Sequence, residues 1–198
     1  MKSRYIENFE LSELKKMLGD AWLPFEVAYE TGLRIGDVLK IKVEDIDQKK
    51  GELHYVSQKR SKCGSCKLSK TLIEWLVSNS HGEAFCFPSA LSESGHLTRQ
   101  AAWKRIKKAA QRCGIDADGI SPHALRKVFA VNLCREEGIE AVRQALQHER
   151  IDTTQIYALS DFSTGANAKL PLLRGDIQLI ADMVIQQIRS IENGHQKT

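Results

Sequence analysis

Arginine and histidine residues at separated points of this chain have the types and spacing to hold an anion such as a phosphate, and a tyrosine follows the last of them. The first point is Thr31-Gly32-Leu33-Arg34-Ile35-Gly36-Asp37, where Arg34 stands as a glycine-containing turn enters a helix. A guanidinium there is a rigid, permanently charged fork that matches two phosphate oxygens. The second is Ser121-Pro122-His123-Ala124-Leu125-Arg126. Residues three apart share a helix face, so His123 and Arg126 stand together in the first turns, where the dipole favours an anion. The third, Leu146-Gln147-His148 followed by Thr153-Thr154-Gln155-Ile156-Tyr157, sets a histidine and a tyrosine on either side of a Thr-Thr helix start. Zinc does not suit the His123/Arg126 pair, because arginine cannot ligate and no HExxH pattern exists. Taken singly, each point has a blander reading: an exposed arginine, a surface pair, a half-buried core tyrosine.

Two acid-free basic stretches accompany these points. Leu97 to Cys113 carries Arg99, Lys104, Arg105, Lys107, Lys108 and Arg112; Lys59 to Lys70 carries Lys59, Arg60, Lys62, Lys67 and Lys70. In a chain of net charge only +4, such concentration can neutralise phosphates locally and steer association. Lys59, Arg60, Arg99, Lys104, Arg105, Lys107 and Lys108 are the candidate DNA-binding residues, although a charge run is usually just a solvated face.

The elements that must position these groups are mainly helices. Periodicity predicts helices over 11–18, 22–29 (with Pro24 in the first turn) and 34–40. A β-like region follows, with strands over 42–46 and 52–58 and a weaker return over 66–69, joined by a long Lys/Ser/Gly-rich hairpin loop. Further helices are predicted over 71–77, 97–113, 121–136, 139–147, 153–159 and 176–191, with a short apolar segment at 84–87. In the basic helix, Ala102, Ile106, Ala109 and Cys113 recur at helical spacing and leave the cations to the other side. Ser121-Pro122 reads as a helix start in which the hydroxyl caps free N–H groups and proline needs none. The fold class is therefore mainly α with a small antiparallel β-sheet (α+β).

Composition narrows the function classes. The 198 residues, 42% hydrophobic and 27% charged, suit one globular domain with a tail. No apolar run approaches the roughly 18 residues that span a bilayer, which argues against a membrane partner. MKSRYIENFE has no apolar stretch behind its basic residues and is not read as a signal peptide. Five cysteines, an odd number, suit a reducing compartment and a cytoplasmic location.

The order Arg34, hairpin lysine, His123-x-x-Arg126, His148, Tyr157 resembles the tyrosine recombinases of the phage integrase kind. That family carries a TGLR turn, a lysine on a β-hairpin, a PHxLR helix start, an LGH-type segment and a TTxIY nucleophile. The likeness spans roughly residues 8–160 and implies the catalytic-domain fold of DNA breaking-rejoining enzymes. Residues 161–198 are then a C-terminal connection and amphipathic helix that packs in cis or docks on a neighbouring subunit. Gln147 stands where the family usually has glycine, and Lys127-Val128 replace its common Arg-Thr; neither removes a catalytic group. Counting forward along the first strand favours Lys59 as the lysine, and counting back through Ser61-Lys62-Cys63-Gly64 favours Lys62, the preferred choice.

The resemblance also implies roles. Arg34 and Arg126 clamp the nonbridging oxygens, and His123 and His148 add donors. Tyr157 attacks with His123 as its base, and the lysine protonates the departing 5′-oxygen. The 3′-phosphotyrosyl bond stores the phosphodiester, so neither cofactor, metal nor ATP is required. Asp37 buttresses Arg34 or the nearby backbone. The implied partners are double-stranded recombination sites, further copies of the chain (a tetramer on DNA, a monomer alone) and accessory DNA-bending proteins. The implied event is integration or excision of a phage or mobile element, or related strand exchange. Two rival chemistries are a type IB topoisomerase and a zinc-binding module built from Cys63, Cys66, His81 and Cys86; a catalytically silent DNA-binding protein is a third reading.

Overall fold

The computed structural model describes residues 3–57 and 62–146. Lys59, Arg60, His148 and Tyr157, and the helices expected over 153–159 and 176–191, lie outside the described residues.

The N-terminal half is built from α1 (Asn8–Leu18), a 3-10 turn at Gly19–Trp22, α2 (Leu23–Thr31) and a single-turn α3 (Ile35–Val38). Pro24 occupies the first turn of α2, where its missing N–H costs nothing. A three-stranded antiparallel sheet follows in the order β1 (Ile46–Asp47), β2 (Glu52–Ser57), β3 (Lys62–Lys67). Then come α4 (Lys70–Asn79), α5 (Arg99–Arg112), α6 (Pro122–Glu137) and α7 (Ile139–Ala145). Helix α2 packs on α6, α6 on α7 and α1 on α5, while β2 lies against α3.

One apolar core runs through these layers, with Leu14, Phe25, Leu53, Leu72, Leu76, Ile106, Ile120 and Leu125 fully buried. A second cluster of Ala130, Val131, Val142 and Leu146 seals α6 to α7. Helix α5 buries Ala102, Ile106, Ala109 and Ala110, the stripe expected from periodicity except that Ala110 replaces Cys113 as its last member. The N-terminal segment is stitched to the turn before α6: Arg4 pairs with Glu10 at 2.6 and 2.8 Å and donates to the Asp116 carbonyl at 3.0 Å. Lys127, one of the two departures from the family's usual residues, donates to the Ser3 carbonyl in the same seam.

Three local expectations are corrected. Of residues 42–46 only Ile46 lies in a strand: the Asp45 carboxylate accepts from the Lys42 N–H at 2.8 Å and folds the segment before it into a 3-10 turn, Val43–Asp45. An aspartate competing for backbone donors in this way displaces ladder bonds. The return strand starts earlier and ends earlier than expected: Lys62 through Lys67 pair with Ser57 through Glu52, and Ser69 caps α4 instead of extending the strand. Lys62, Cys63 and Gly64 are therefore strand residues rather than part of a turn. Glycine, serine and lysine are poor strand formers, but pairing with a half-buried neighbour overrides that preference. Finally, α6 starts at Pro122 as expected, yet the Ser121 hydroxyl makes no capping bond; its carbonyl accepts from the Ala124 N–H at 2.9 Å instead.

Candidate active site

Gly32 makes the first half of the site possible. It ends α2 in the left-handed region (φ 66°, ψ 8°), where a side chain is disfavoured. The Thr31 hydroxyl donates to the Val27 carbonyl at 2.6 Å and accepts from the Leu33 N–H at 3.2 Å, fixing the chain on both sides of the turn. Arg34 follows as the extended residue immediately before α3. A Cβ at position 32 would lie 2.6 Å from Phe129 Cε1 and 2.9 Å from Leu146 Cδ2, so the turn sits tight against α6 and the end of α7.

Arg126 joins the second half to the first. Only 4% exposed, it donates from Nη1 to the Gly32 carbonyl and from Nη2 to the Leu146 carbonyl at 3.0 Å. Its buried fork thus holds the Arg34 turn and the end of the segment that leads to His148. Arg34, His123 and Arg126 line one cleft of about 460 Å³, and Asp37 and Arg99 line it with them. Asp37 is buried, and its N–H donates to the Arg34 carbonyl at 2.8 Å.

Electrostatics in the cleft act on His123. Burial pushes its pKa below the usual histidine value, and the positive charges of Arg126, Lys127 and Arg34 lower it further. The imidazole is therefore held neutral at pH 7, the form that can accept a proton.

The basic residues divide among different surroundings. Arg99, expected only as part of a general basic face, projects into the cleft. Its signal in the sequence was its place as the first residue of an acid-free helix, directly after the Thr98 cap. Lys107 turns back on its own fold, donating to the Ala117 carbonyl and lying 5.6 Å from the centre of the Trp103 ring. Arg105 borders a separate hollow with Asp20 and Asn79, and Lys104 and Lys108 are exposed. Lys62 begins β3 opposite Ser57, at the end of the hairpin whose β2 packs on α3.

The zinc reading is overturned. Cys63 and Cys66 lie in one strand three residues apart, which puts them on opposite faces. Cys63 pairs across from exposed Val56, and Cys66 across from buried Leu53. Burial pushes the Cys66 thiol up to about 11 and the Cys86 thiol up to about 12, the reverse of what a metal-binding thiolate needs. Among the described residues no group of three or more His, Cys, Asp or Glu side chains could hold a metal ion. None of their helices is long and apolar enough to cross a membrane.

A mainly helical domain with a three-stranded sheet, carrying an Arg/His/Arg cleft at the start of α3 and α6, defines the catalytic-domain fold of the tyrosine recombinases. Residues 7–164 match the phage integrase family, and the chain belongs to that family. It is 32% identical over 143 residues to the tyrosine recombinase XerD of Yersinia pestis, covering 67% of this chain and 47% of that protein. The Haemophilus influenzae XerD is 29% identical over 143 residues, again covering 67% of this chain and 47% of that one. The chain thus spans about half the length of these curated relatives. Among solved structures, XerA recombinase superposes with a TM-score of 0.67 at 23% identity, over 82% of this chain and 63% of that one. The catalytic domain of bacteriophage HP1 integrase gives a TM-score of 0.58 at 18% identity, over 80% of this chain and 89% of that one. At such identities the likeness establishes the fold.

Proposed function

We propose that this chain cuts and rejoins DNA strands site-specifically, through a covalent bond between Tyr157 and a 3′-phosphate. The observation that carries this reading is the meeting of Arg34, His123 and Arg126 in one cleft, although they come from parts of the chain roughly ninety residues apart. Two guanidiniums and an imidazole facing one space suit a phosphodiester, whose nonbridging oxygens gain charge as the phosphorus is attacked.

The Tyr157 oxygen attacks phosphorus, its proton passing to His123, and the bond to the 5′-oxygen breaks. A hairpin lysine, Lys62 in preference to Lys59, protonates that oxygen. Arg34 and Arg126 hold the nonbridging oxygens, and His148 adds a donor. Tyrosine has an ordinary pKa near 10, so attack at neutral pH needs both the positive cleft and a base; the neutral state of His123 supports that assignment. Asp37, the acid of the cleft lining, buttresses Arg34 or the neighbouring backbone. Reversal by a hydroxyl from a partner strand completes exchange with little net energy change.

The partners are double-stranded recombination sites, further copies of the chain on DNA, and accessory DNA-bending proteins. The event is integration or excision of a phage or mobile element, or a related strand exchange, in the cytoplasm. The XerA, XerH and lambda integrase structures share the fold, and the last two are bound to their DNA sites.

The test is covalent trapping on a pool of nicked duplexes with a randomised centre. Wild-type protein is expected to yield a protease-sensitive protein–DNA adduct, and Tyr157→Phe none. An adduct formed equally by Tyr157→Phe rejects the nucleophile, and the lack of any wild-type adduct rejects the function.

A further inference from the structure

Arg99, one of the candidate DNA-binding residues, is the cation of the cleft that the catalytic roles assigned above leave unused. It is the first residue of α5, whose start is fixed by the Thr98 hydroxyl accepting from the Ala101 N–H at 3.1 Å. Among the described residues Arg99 has no hydrogen bond or ion pair, and α5 itself carries no acid. It shares the cleft with Arg34 and Arg126, while Asp37 supplies the carboxylate there. Three guanidiniums around one carboxylate repel one another, and an anion entering the cleft relieves that repulsion.

Gly36 explains how Arg99 reaches this place. A Cβ on Gly36 would lie 2.9 Å from Arg99 Cδ and 3.6 Å from its Cγ. Gly36 is in α3 and is not among the positive-φ glycines, so its backbone does not require glycine. Alanine would favour the helix. What glycine provides at position 36 is the channel along which the Arg99 stem crosses α3.

The geometry points to Arg99 as a DNA-positioning residue of this cleft: it binds a phosphate of the strand to be cut, over a gap left by Gly36. This rests on the function proposed above. Arg126 is buried and pinned to two carbonyls, a fixed donor suited to charge that develops during the reaction. Arg99 is exposed and solvated. It engages charge that the phosphate carries throughout, and so contributes alike to bound substrate and transition state.

The experiment uses a duplex recovered by wild-type covalent trapping from the randomised pool. Binding is followed against salt, and single-turnover cleavage is followed at saturating protein. Arg99→Ala is expected to bind on the order of tenfold more weakly and to lower the slope of log K against log salt by about one. Its cleavage rate in the saturated complex should stay within about twofold of wild type, because uniform binding does not change that step. Gly36→Ala keeps every charge and should also weaken binding, whereas the double variant should bind no more weakly than Arg99→Ala alone. Matching thermal unfolding of the variants excludes misfolding. A wild-type slope and affinity in Arg99→Ala overturns the proposal, as does a fall in saturated cleavage rate with affinity unchanged. Additive effects of the two substitutions overturn the part played by Gly36. If wild-type protein traps no duplex, the function itself falls, an outcome distinct from trapping that is indifferent to Arg99.

Discussion

Arg126 donates a hydrogen bond to the carbonyl of Gly32, across 94 positions of sequence. The residue expected to grip phosphate is thus also a strut that holds the Arg34 turn against α6. Its second bond, to the Leu146 carbonyl, ties down the end of α7 immediately before the segment that carries His148. Structure and chemistry are coupled at this one side chain.

Arg126→Lys keeps the charge but cannot bridge two carbonyls with a planar fork. Leaving one buried carbonyl unpaired costs about 1–3 kcal/mol. The variant is expected to lose roughly that much in urea denaturation and to form covalent adduct far more slowly than wild type. Wild-type stability together with wild-type cleavage would dismiss the strut.

Gly32→Ala combines a left-handed backbone with a Cβ only 2.6 Å from Phe129 Cε1. The backbone change costs about 1–2 kcal/mol, and overpacking roughly 1–3 kcal/mol more. The expected result is a loss of about 2–5 kcal/mol, read as a fall in Tm of several degrees or more. Relative to Phe129→Ala alone, adding Gly32→Ala should cost less than it does in wild type, leaving the backbone part and the Leu146 contact.

His123 yields a pH prediction with a definite sign. Its folded pKa lies below the unfolded value because burial and nearby cations oppose its protonation. The unfolded chain then binds the proton more readily, near pH 6.5. The stability is fully present above that pH and is lost as pH falls toward the lower, folded pKa. Unfolding free energies of wild type and His123→Gln should run parallel above neutrality. Below about pH 6.5 wild type should fall faster. The acid limb of the cleavage rate should likewise sit below an ordinary histidine titration, and a limb at or above it would contradict the neutral base.

The choice between Lys62 and Lys59 can be made chemically. A 5′-bridging sulfur leaves as a thiolate, a far weaker base than an alkoxide, and needs no proton. Whichever lysine is the acid, its alanine variant should cleave an ordinary nicked duplex slowly and the sulfur-bridged one at nearly the wild-type rate. The other variant should show no such rescue. Rescue of neither would remove the lysine from the mechanism.

Thiol labelling checks the sheet register. Cys63 is exposed, while Cys66 and Cys86 have thiols pushed up to about 11 and about 12. The fast phase should lose one equivalent in Cys63→Ser, whereas buried Cys86 should react mainly on unfolding. Protection of Cys63 and Cys66 as a pair from labelling by added zinc would revive the metal reading.

Much of the architecture could be read from residue order because the signals were local. Pro24 and Ser121-Pro122 marked helix starts, and the Ala102/Ile106/Ala109 stripe marked the buried side of α5. The residue types Arg34, His123 and Arg126, in that order, were enough to name the chemistry they could share. Charge runs carried less information, since a run of lysines and arginines has no direction until the helix is packed. Hence Lys107, Arg105 and Arg99 read alike in sequence, yet one closes a loop, one borders a separate hollow and one enters the cleft. Strand limits were also beyond local reading, because the extent of β3 depends on pairing with β2 rather than on its own residues. The sequence by itself determined which groups could hold a phosphate. Only the tertiary structure decided that Arg126 braces the Gly32 turn and that Gly36 admits Arg99, because both depend on close contacts between segments that periodicity and propensity treat as independent.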